Sequence, residues 1–385
     1  MIQRLHIVRI CAVTILAAQC VRPALAGNLD SPYGLNVHTP ATPIEFAMLE
    51  QVAAAGVDWV RIDMNWNRAQ PNPGAFQWDV FDNFTAKAEE LGINVFASIK
   101  GGVPAWAAEF PTAGQGDPGY GVMRDPSEWY TYVDEAVRRY AGKIDHWGIW
   151  NEPDYVNFWY GSRQQFIDEV FIPSADIIKA ANPQAKLVGP GLSMLAANQP
   201  TGPWFDWLAD IMTQAGDKID IFDFHIYRDS RAEYNFRIEW DGDLSLLYGE
   251  PPGTIISTTQ SIRANLDVFG WDGPVWITES GWDYEPTDPD FAATRLTETL
   301  EDWFTGDPDR SWVDKFFYFH MWDGPGGQGE GLFHADGTPR ETYHAYADFM
   351  AAHPVPEPST LVLLLSGGAM ALATSVGRRR CKSLR

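Results

Sequence analysis

Residues 146–155 read HWGIWNEPDY, an apolar, aromatic-rich run that breaks off at Asn151-Glu152-Pro153. A carboxylate inside a buried strand costs several kcal/mol to desolvate unless it is paired. At a strand's exit the same group can face a cleft, although a Glu before Pro is also a common plain turn residue. Seven further runs of this kind decide between the two readings. They are YGLNVH (33–38), VDWVRID (57–63), INVFASI (93–99), AKLVGPG (185–191), IDIFDFHIY (219–227), PVWITES (274–280) and KFFYFHMW (315–322). IDHWGIW (144–150) is the fourth of the eight in chain order. Helical spacing fills the gaps at 44–56, 78–92 and 127–142, with Gly56 placed to stop the first helix. Short strands alternating with longer helices predict βα units and a parallel sheet, and eight of them fit an α/β fold of the (β/α)8 barrel type. A doubly wound sheet would want a Gly-rich phosphate loop after an early strand, and neither G-x-G-x-x-G nor a Walker pattern occurs.

In such a barrel, residues at the strand C-terminal ends line the active face. That rule selects His38, Arg61, Asp63, Lys100, Asn151, Glu152, His225, Tyr227, Glu279 and Trp322. Glu152 and Glu279 end the fourth and seventh runs, nearly opposite each other on an eight-membered ring, so both can reach over its mouth. Two carboxylates across a cleft are the minimum for cleaving a glycosidic bond. One is held protonated to donate to the leaving oxygen, and the other is ionised to attack the anomeric carbon or activate water. A gap of about 5–5.5 Å gives retention of configuration and about 6.5–9.5 Å gives inversion.

WNEP at 150–153 and ITESG at 277–281 resemble the two signatures of clan A glycoside hydrolases, the retaining 4/7 barrels. The pattern spans nearly the whole chain between its two ends. The Arg on strand two, the Asn-Glu-Pro, the His-x-Tyr on strand six and the terminal Trp are most similar to families 39 and 5. The resemblance implies Glu152 as acid/base, Glu279 as nucleophile and Asn151 as hydrogen-bond partner of the sugar 2-hydroxyl. Family 39 xylosidases commonly append a β-sandwich. Here about 75 residues follow Glu279 before the C-terminal tail, and strand eight with its helix uses most of them. The expectation is a single barrel domain without an accessory β-sandwich.

The other selected residues have physical uses that stand without the family. Arg61 can keep Glu279 ionised, since a cation within about 4–6 Å favours the charged form. Tyr227 can donate to the same carboxylate, and His225, on the same strand face, can steady Glu152. Glu152 has to begin the cycle protonated, which asks for apolar neighbours and a nearby negative charge. Trp322 offers a flat platform for a sugar ring. Each also has a structural use: Arg61 in an ion pair with Asp63 or Asp58, and His225, Tyr227 and Trp322 in the core. His38, Lys100 and Asp63 divide evenly between cleft and structure. Cleft walls are expected from three aromatic loops: 101–126 with Trp106 and Tyr120, 154–161 with Tyr155, Phe158, Trp159 and Tyr160, and 228–253 with Trp240. Trp106 is counted with the substrate-binding residues. The Gly-rich 323–333 is expected to form a mobile rim.

The ends of the chain read as processing signals. Residues 1–26 carry Arg4 and Arg9, an apolar stretch from Ile10 and the triplet Ala24-Leu25-Ala26, a secretory leader with cleavage after Ala26. Residues 354–385 set Pro356-Glu357-Pro358 before an apolar run, Leu361 to Val376, and an Arg378-Arg379-Arg380 cluster. That order resembles the PEP-CTERM sorting signal of exopolysaccharide-producing Gram-negative bacteria. It implies an exosortase-type processing enzyme as partner, a short membrane segment confined to the tail, and delivery to the cell surface or matrix. The catalytic domain is therefore expected over 27–353. All three cysteines fall in the two ends, so disulfides are not expected to hold that domain.

A net charge of −23 argues against nucleic acid as partner. Neither H-E-x-x-H nor G-x-S-x-G occurs, and no metal or cofactor is expected. The 17 Trp have two uses, core packing or stacking on sugars. The reading is a secreted retaining β-glycosidase acting within polysaccharide chains, with exopolysaccharide as one candidate substrate. The alternatives are a barrel that binds polysaccharide without cleaving it, an exo-acting β-xylosidase-like enzyme, and transglycosylation at the same site.

Overall fold

The computed structural model describes residues 27–100, 102–109, 121–193, 204–227, 262–282, 288, 290–305, 312–324 and 329–355. The expected leader, the tail from Pro356, Tyr120, the 228–253 loop with Trp240 and residues 325–328 of the Gly-rich stretch lie outside the described residues. Among the described residues no helix is long and apolar enough to cross a membrane.

The eight runs are eight parallel strands: β1 (Tyr33–His38), β2 (Trp59–Asn65), β3 (Asn94–Lys100), β4 (His146–Ile149), β5 (Lys186–Leu192), β6 (Ile221–His225), β7 (Val275–Ser280) and β8 (Lys315–Tyr318). They pair in chain order, and β8 pairs with β1 to close the barrel. Two strands are shorter in ladder terms than their apolar runs suggest. β4 leaves at Ile149, and β8 leaves at Tyr318, four residues before Trp322. The helices between follow the expected chemistry. In Pro43–Ala55, Thr42 and Glu45 form a capping box, and Gly56 closes the helix at φ 108°. Asp79–Leu91 ends on Gly92 at φ 69°, and Pro126–Tyr140 starts at an Asp125 cap with Pro in its first turn.

The bottom of the barrel interior is an aromatic plug. Trp59, Phe96, Trp276 and Phe317 pack there with Val188 and Ile221, each at most 5% exposed. Burying such side chains stabilises by about 1.5–3 kcal/mol each. Gly34 on β1 makes room for them: a Cβ there would lie 2.6 Å from the Phe317 ring. The ring of His146 stacks on Trp276 with centroids 5.4 Å apart, and the Lys315 ammonium lies 4.7 Å from the Trp59 ring centre. Seven tryptophans (Trp59, Trp66, Trp129, Trp147, Trp159, Trp207 and Trp282) are fully buried, so much of the Trp excess is core. Above the plug the interior turns polar, with Asn36, Arg61, Ser98, Asp223 and Thr278 all buried.

Candidate active site

Three non-glycine residues among the described ones have left-handed backbones: His38 (φ 51°), Trp150 (φ 69°) and Glu152 (φ 47°). They sit where β1 and β4 run out at the barrel mouth. Such conformations cost about 1–3 kcal/mol each and persist where the surroundings over-determine them. Around Glu152 the surroundings do so. Its N–H donates to the Gly191 carbonyl at 3.0 Å. Two residues on, the Asp154 carboxylate accepts from the Ser193 N–H and hydroxyl at 2.8 and 2.7 Å. Burial pushes the Asp154 carboxyl up to about 6, with the Ser193 bonds opposing and the Glu152 charge adding.

Glu279 and Glu152 converge as the barrel rule requires. One carboxylate oxygen from each and a nitrogen of His225 all lie within 4.8 Å of one another. Their environments differ. Arg61 donates through one nitrogen to Glu279 Oε2 at 2.8 Å and through the other to Asn151 Oδ1 at 2.7 Å. The Tyr227 hydroxyl donates to Glu279 Oε1. Burial alone would raise the Glu279 carboxyl. The positive fields of His225, Arg61 and Lys100 and the Tyr227 bond outweigh it and hold the group at about 2. The Glu152 carboxyl meets His225 instead, Nδ1 standing 2.7 Å from its Oε1, and His225 is fully buried. His225 Nδ1 also stands 3.4 Å from Glu279 Oε2 and so bridges the pair.

Arg61 therefore does not pair with Asp58 or Asp63. It lies 5.9 Å from the Phe96 ring centre, on the floor made by the plug. Asp63 is bound instead by Lys100 at 3.0 Å and His38 at 2.8 Å. Burial would raise its carboxyl, but the Lys100 charge, the His38 hydrogen bond and the Arg61 field hold it well below the ordinary carboxylate range. Trp322 and Trp106 are half-buried and pack against the main core. The Trp322 Nε1 is buried without a partner among the described residues, and the Trp106 Nε1 donates to the Gln70 carbonyl at 3.1 Å. For Trp322, expected as a platform or as core, the contacts seen are those of core packing. A ring that does pack on Tyr227 is Phe319, 6.2 Å away edge-on.

Sequence reasoning missed Asp223, Asn36, Phe319 and His320. Asp223 accepts from the Thr278 hydroxyl and the Gly191 N–H, both at 2.7 Å, and so ties the residue before Glu279 to the turn that holds Glu152. Asp223, His225 and Tyr227 alternate on one strand face, and that period of two was the available signal. Asn36 accepts from Arg61 at 3.2 Å and donates to the Thr278 carbonyl at 2.9 Å. Gly281 of the ITESG stretch also has a physical reason, since a Cβ there would collide with the Phe319 carbonyl oxygen.

Glu152, His225 and Glu279 lie close enough to share a cation in principle. The Arg61 guanidinium already supplies a fixed positive charge to Glu279, and the Tyr227 hydroxyl takes the other oxygen. Both features suit an ionised carboxylate kept for chemistry of its own.

A closed (β/α)8 barrel with two buried, differently supported glutamates at the ends of β4 and β7 is the architecture of a glycoside hydrolase. Residues 30–302 match the cellulase (glycosyl hydrolase family 5) family, and the chain belongs to it. A beta-xylosidase of Geobacillus stearothermophilus is 24% identical over 258 residues, 62% of this chain and 46% of that protein. The endo-1,4-beta-xylanase 1 of Gibberella zeae is 29% identical over 130 residues, 32% of this chain and 34% of that protein. The chain thus spans under half the length of these relatives. Among solved structures, a monomeric beta-xylosidase from Caulobacter crescentus CB15 superposes with a TM-score of 0.59 at 16% identity, covering 85% of this chain and 70% of that one. A family 39 glycoside hydrolase from Bacteroides cellulosilyticus WH2 superposes at 0.55 with 18% identity, covering 84% and 63%. At these identities the structural likeness shows the fold.

Proposed function

We propose that this glycoside hydrolase cleaves β-linked, xylan-type polysaccharide within its chains and with retention, Glu279 serving as nucleophile and Glu152 as acid/base. The carrying observation is the pair's asymmetry at short range: carboxylate oxygens within 4.8 Å, one glutamate gripped by Arg61 and Tyr227 and the other bonded to His225. Oxygens that close suit the short separation of a retaining pair better than the wider one that admits a water. In the first step Glu279 attacks the anomeric carbon while Glu152 gives its proton to the glycosidic oxygen. The carbon–oxygen bond to the leaving sugar breaks and a glycosyl ester of Glu279 forms. Glu152, now a carboxylate, takes a proton from water as the water oxygen attacks the same carbon, and Glu279 leaves. Asn151, its Oδ1 committed to Arg61, offers its amide hydrogens to the sugar 2-hydroxyl. The xylan preference is drawn from the names of the xylosidase and xylanase relatives, and cleavage inside chains from the xylanases alone.

The reading extends to the ends of the chain: export by residues 1–26, action of a catalytic barrel over 27–353, and surface or matrix delivery through a PEP-CTERM tail handled by an exosortase-type enzyme. The sequence order Pro356-Glu357-Pro358, apolar run, Arg cluster supports this.

Proton NMR of fresh xylan digests tests the mechanism. The first reducing sugar is expected as the β anomer, and azide is expected to restore turnover to Glu152→Ala by yielding a β-glycosyl azide. An α anomer as first product would sink the retaining assignment. Saturable glycan binding with no product release would favour a binding protein instead.

A further inference from the structure

The barrel mouth holds a second titratable chain beside the two glutamates. Asp63 Oδ2 lies 2.8 Å from His38 Nδ1, His38 Nε2 lies 3.1 Å from His320 Nδ1, and His320 Nε2 lies 3.2 Å from Asp323 Oδ1. Both terminal carboxylates are anchored as anions. Asp63 also holds Lys100, and Asp323 also accepts from the Gly331 N–H at 2.6 Å and from Arg340 at 2.8 Å. An ionised carboxylate only accepts, so His38 Nδ1 and His320 Nε2 must both carry hydrogen. The remaining contact, nitrogen to nitrogen, needs one further proton. Two neutral imidazoles have two N–H groups between them, and this chain of contacts requires three. With fewer, two lone pairs face each other; with four, two N–H groups collide.

We propose that His38 and His320 share a single proton, forming an imidazole–imidazolium pair that positions Phe319 against the Tyr227–Glu279 contact. The backbone around the pair is fixed. Phe319 N–H donates to the Ser280 carbonyl at 2.7 Å, Met321 N–H to the Asn36 carbonyl at 2.8 Å, and Leu332 N–H to the His320 carbonyl at 2.9 Å. The His320 ring stacks on Phe319 with centroids 4.4 Å apart, and His38 meets the same ring edge-on at 5.6 Å. Phe319 in turn abuts Tyr227, which donates to Glu279. The charged groups facing the pair are Asp63 on β2, Lys100 on β3, Glu279 on β7, and Asp323 and Arg340 beyond β8. Loss of the shared proton breaks the nitrogen–nitrogen contact, frees the half-exposed His38 ring and loosens Phe319. His38 and His320 are thus positioning residues for the hydrolysis proposed above, on which the kinetic part of this inference rests.

Nitrogen-15 NMR of histidine-labelled whole protein tests the proton count directly. At about pH 6.5, where an isolated imidazole is half-charged, the two rings are expected to hold one extra proton between them, with a far-downfield N–H···N resonance. Two neutral rings or two cationic rings at that pH overturn the proposal, whatever the enzyme cleaves. The second measurement is the pH profile of xylan hydrolysis by wild type and His320→Phe, a variant that keeps a ring on Phe319. Wild type is expected to lose kcat on the alkaline side with little change in KM. The variant is expected to have kcat lower by about tenfold, as small misplacements at a reacting centre produce, and an alkaline limb set by the Glu152 proton alone, displaced from that of wild type. An unchanged alkaline limb in a folded variant removes the positioning role. Failure of wild type to cleave xylan counts against the proposed substrate and leaves the NMR result to decide the pair.

Discussion

The two ends of the barrel interior treat buried charge in opposite ways. At the bottom, burial among Trp59 and Trp276, reinforced by the neighbouring Lys315 charge, pushes His146 down to about 4. Burial likewise pushes Lys315 down to about 8, with Asp30, Asp314 and Asp58 opposing. At the mouth Glu279 is buried too, yet it stays ionised, because Arg61 and Tyr227 meet it directly and His225 and Lys100 add positive field. Desolvation drives a group toward its neutral form, and fixed partners reverse that. The plug therefore serves stability, and the mouth keeps charges poised for chemistry.

Breaking the mouth is expected to give the largest effect. Glu279→Gln keeps the size of the side chain and removes the proposed nucleophile. Its kcat should fall on the order of 10⁴-fold, about 5.4 kcal/mol of barrier, with the melting temperature little changed. Steady-state kinetics beside calorimetry will show whether activity and stability separate in this way. Arg61→Met should damage both, because it strands a buried carboxylate. Removing one partner of a buried ion pair costs about 3–5 kcal/mol, and urea unfolding should register it. The same variant should raise the Glu279 carboxyl and move the acid limb of activity to higher pH.

Breaking the plug should give the reverse pattern. Gly34→Ala puts a methyl 2.6 Å from the Phe317 ring and should destabilise by about 1–3 kcal/mol, with kcat and its pH profile intact once the protein is folded. A shifted pH profile there would mean that the two ends are mechanically coupled. A further effect concerns acid. His146 is held near 4 against an ordinary 6.5, so the unfolded chain binds more protons between those values and stability falls as pH drops through that window. Glu279 is held near 2 against an ordinary 4.5, so the stability it contributes is present above 4.5 and is lost as pH falls toward 2. Melting temperatures across pH should show both losses in wild type and only the lower one in His146→Gln.

The glutamate pair was legible because each glutamate ends an apolar run, and the barrel rule places such ends on one face whatever the loops do. Asp223 was legible in principle from its alternation with His225 and Tyr227. Phe319 and His320 were hidden by the expectation that strand eight runs on to Trp322, whereas the ladder stops at Tyr318. Asp63 offered no sign of its partners, since Lys100 and His38 reach it from different strands.

Local pattern determined the eight strands, the helix caps at Thr42 and Gly56, and the positions of Glu152 and Glu279, because periodicity, capping and strand ends act over a few residues. Barrel closure decided the rest. It put His38 within 3.1 Å of His320 across 282 residues of chain, and Arg61 within 2.8 Å of Glu279 across 218. Coulomb attraction and hydrogen bonding depend on distance in space, and only the closed ring sets those distances.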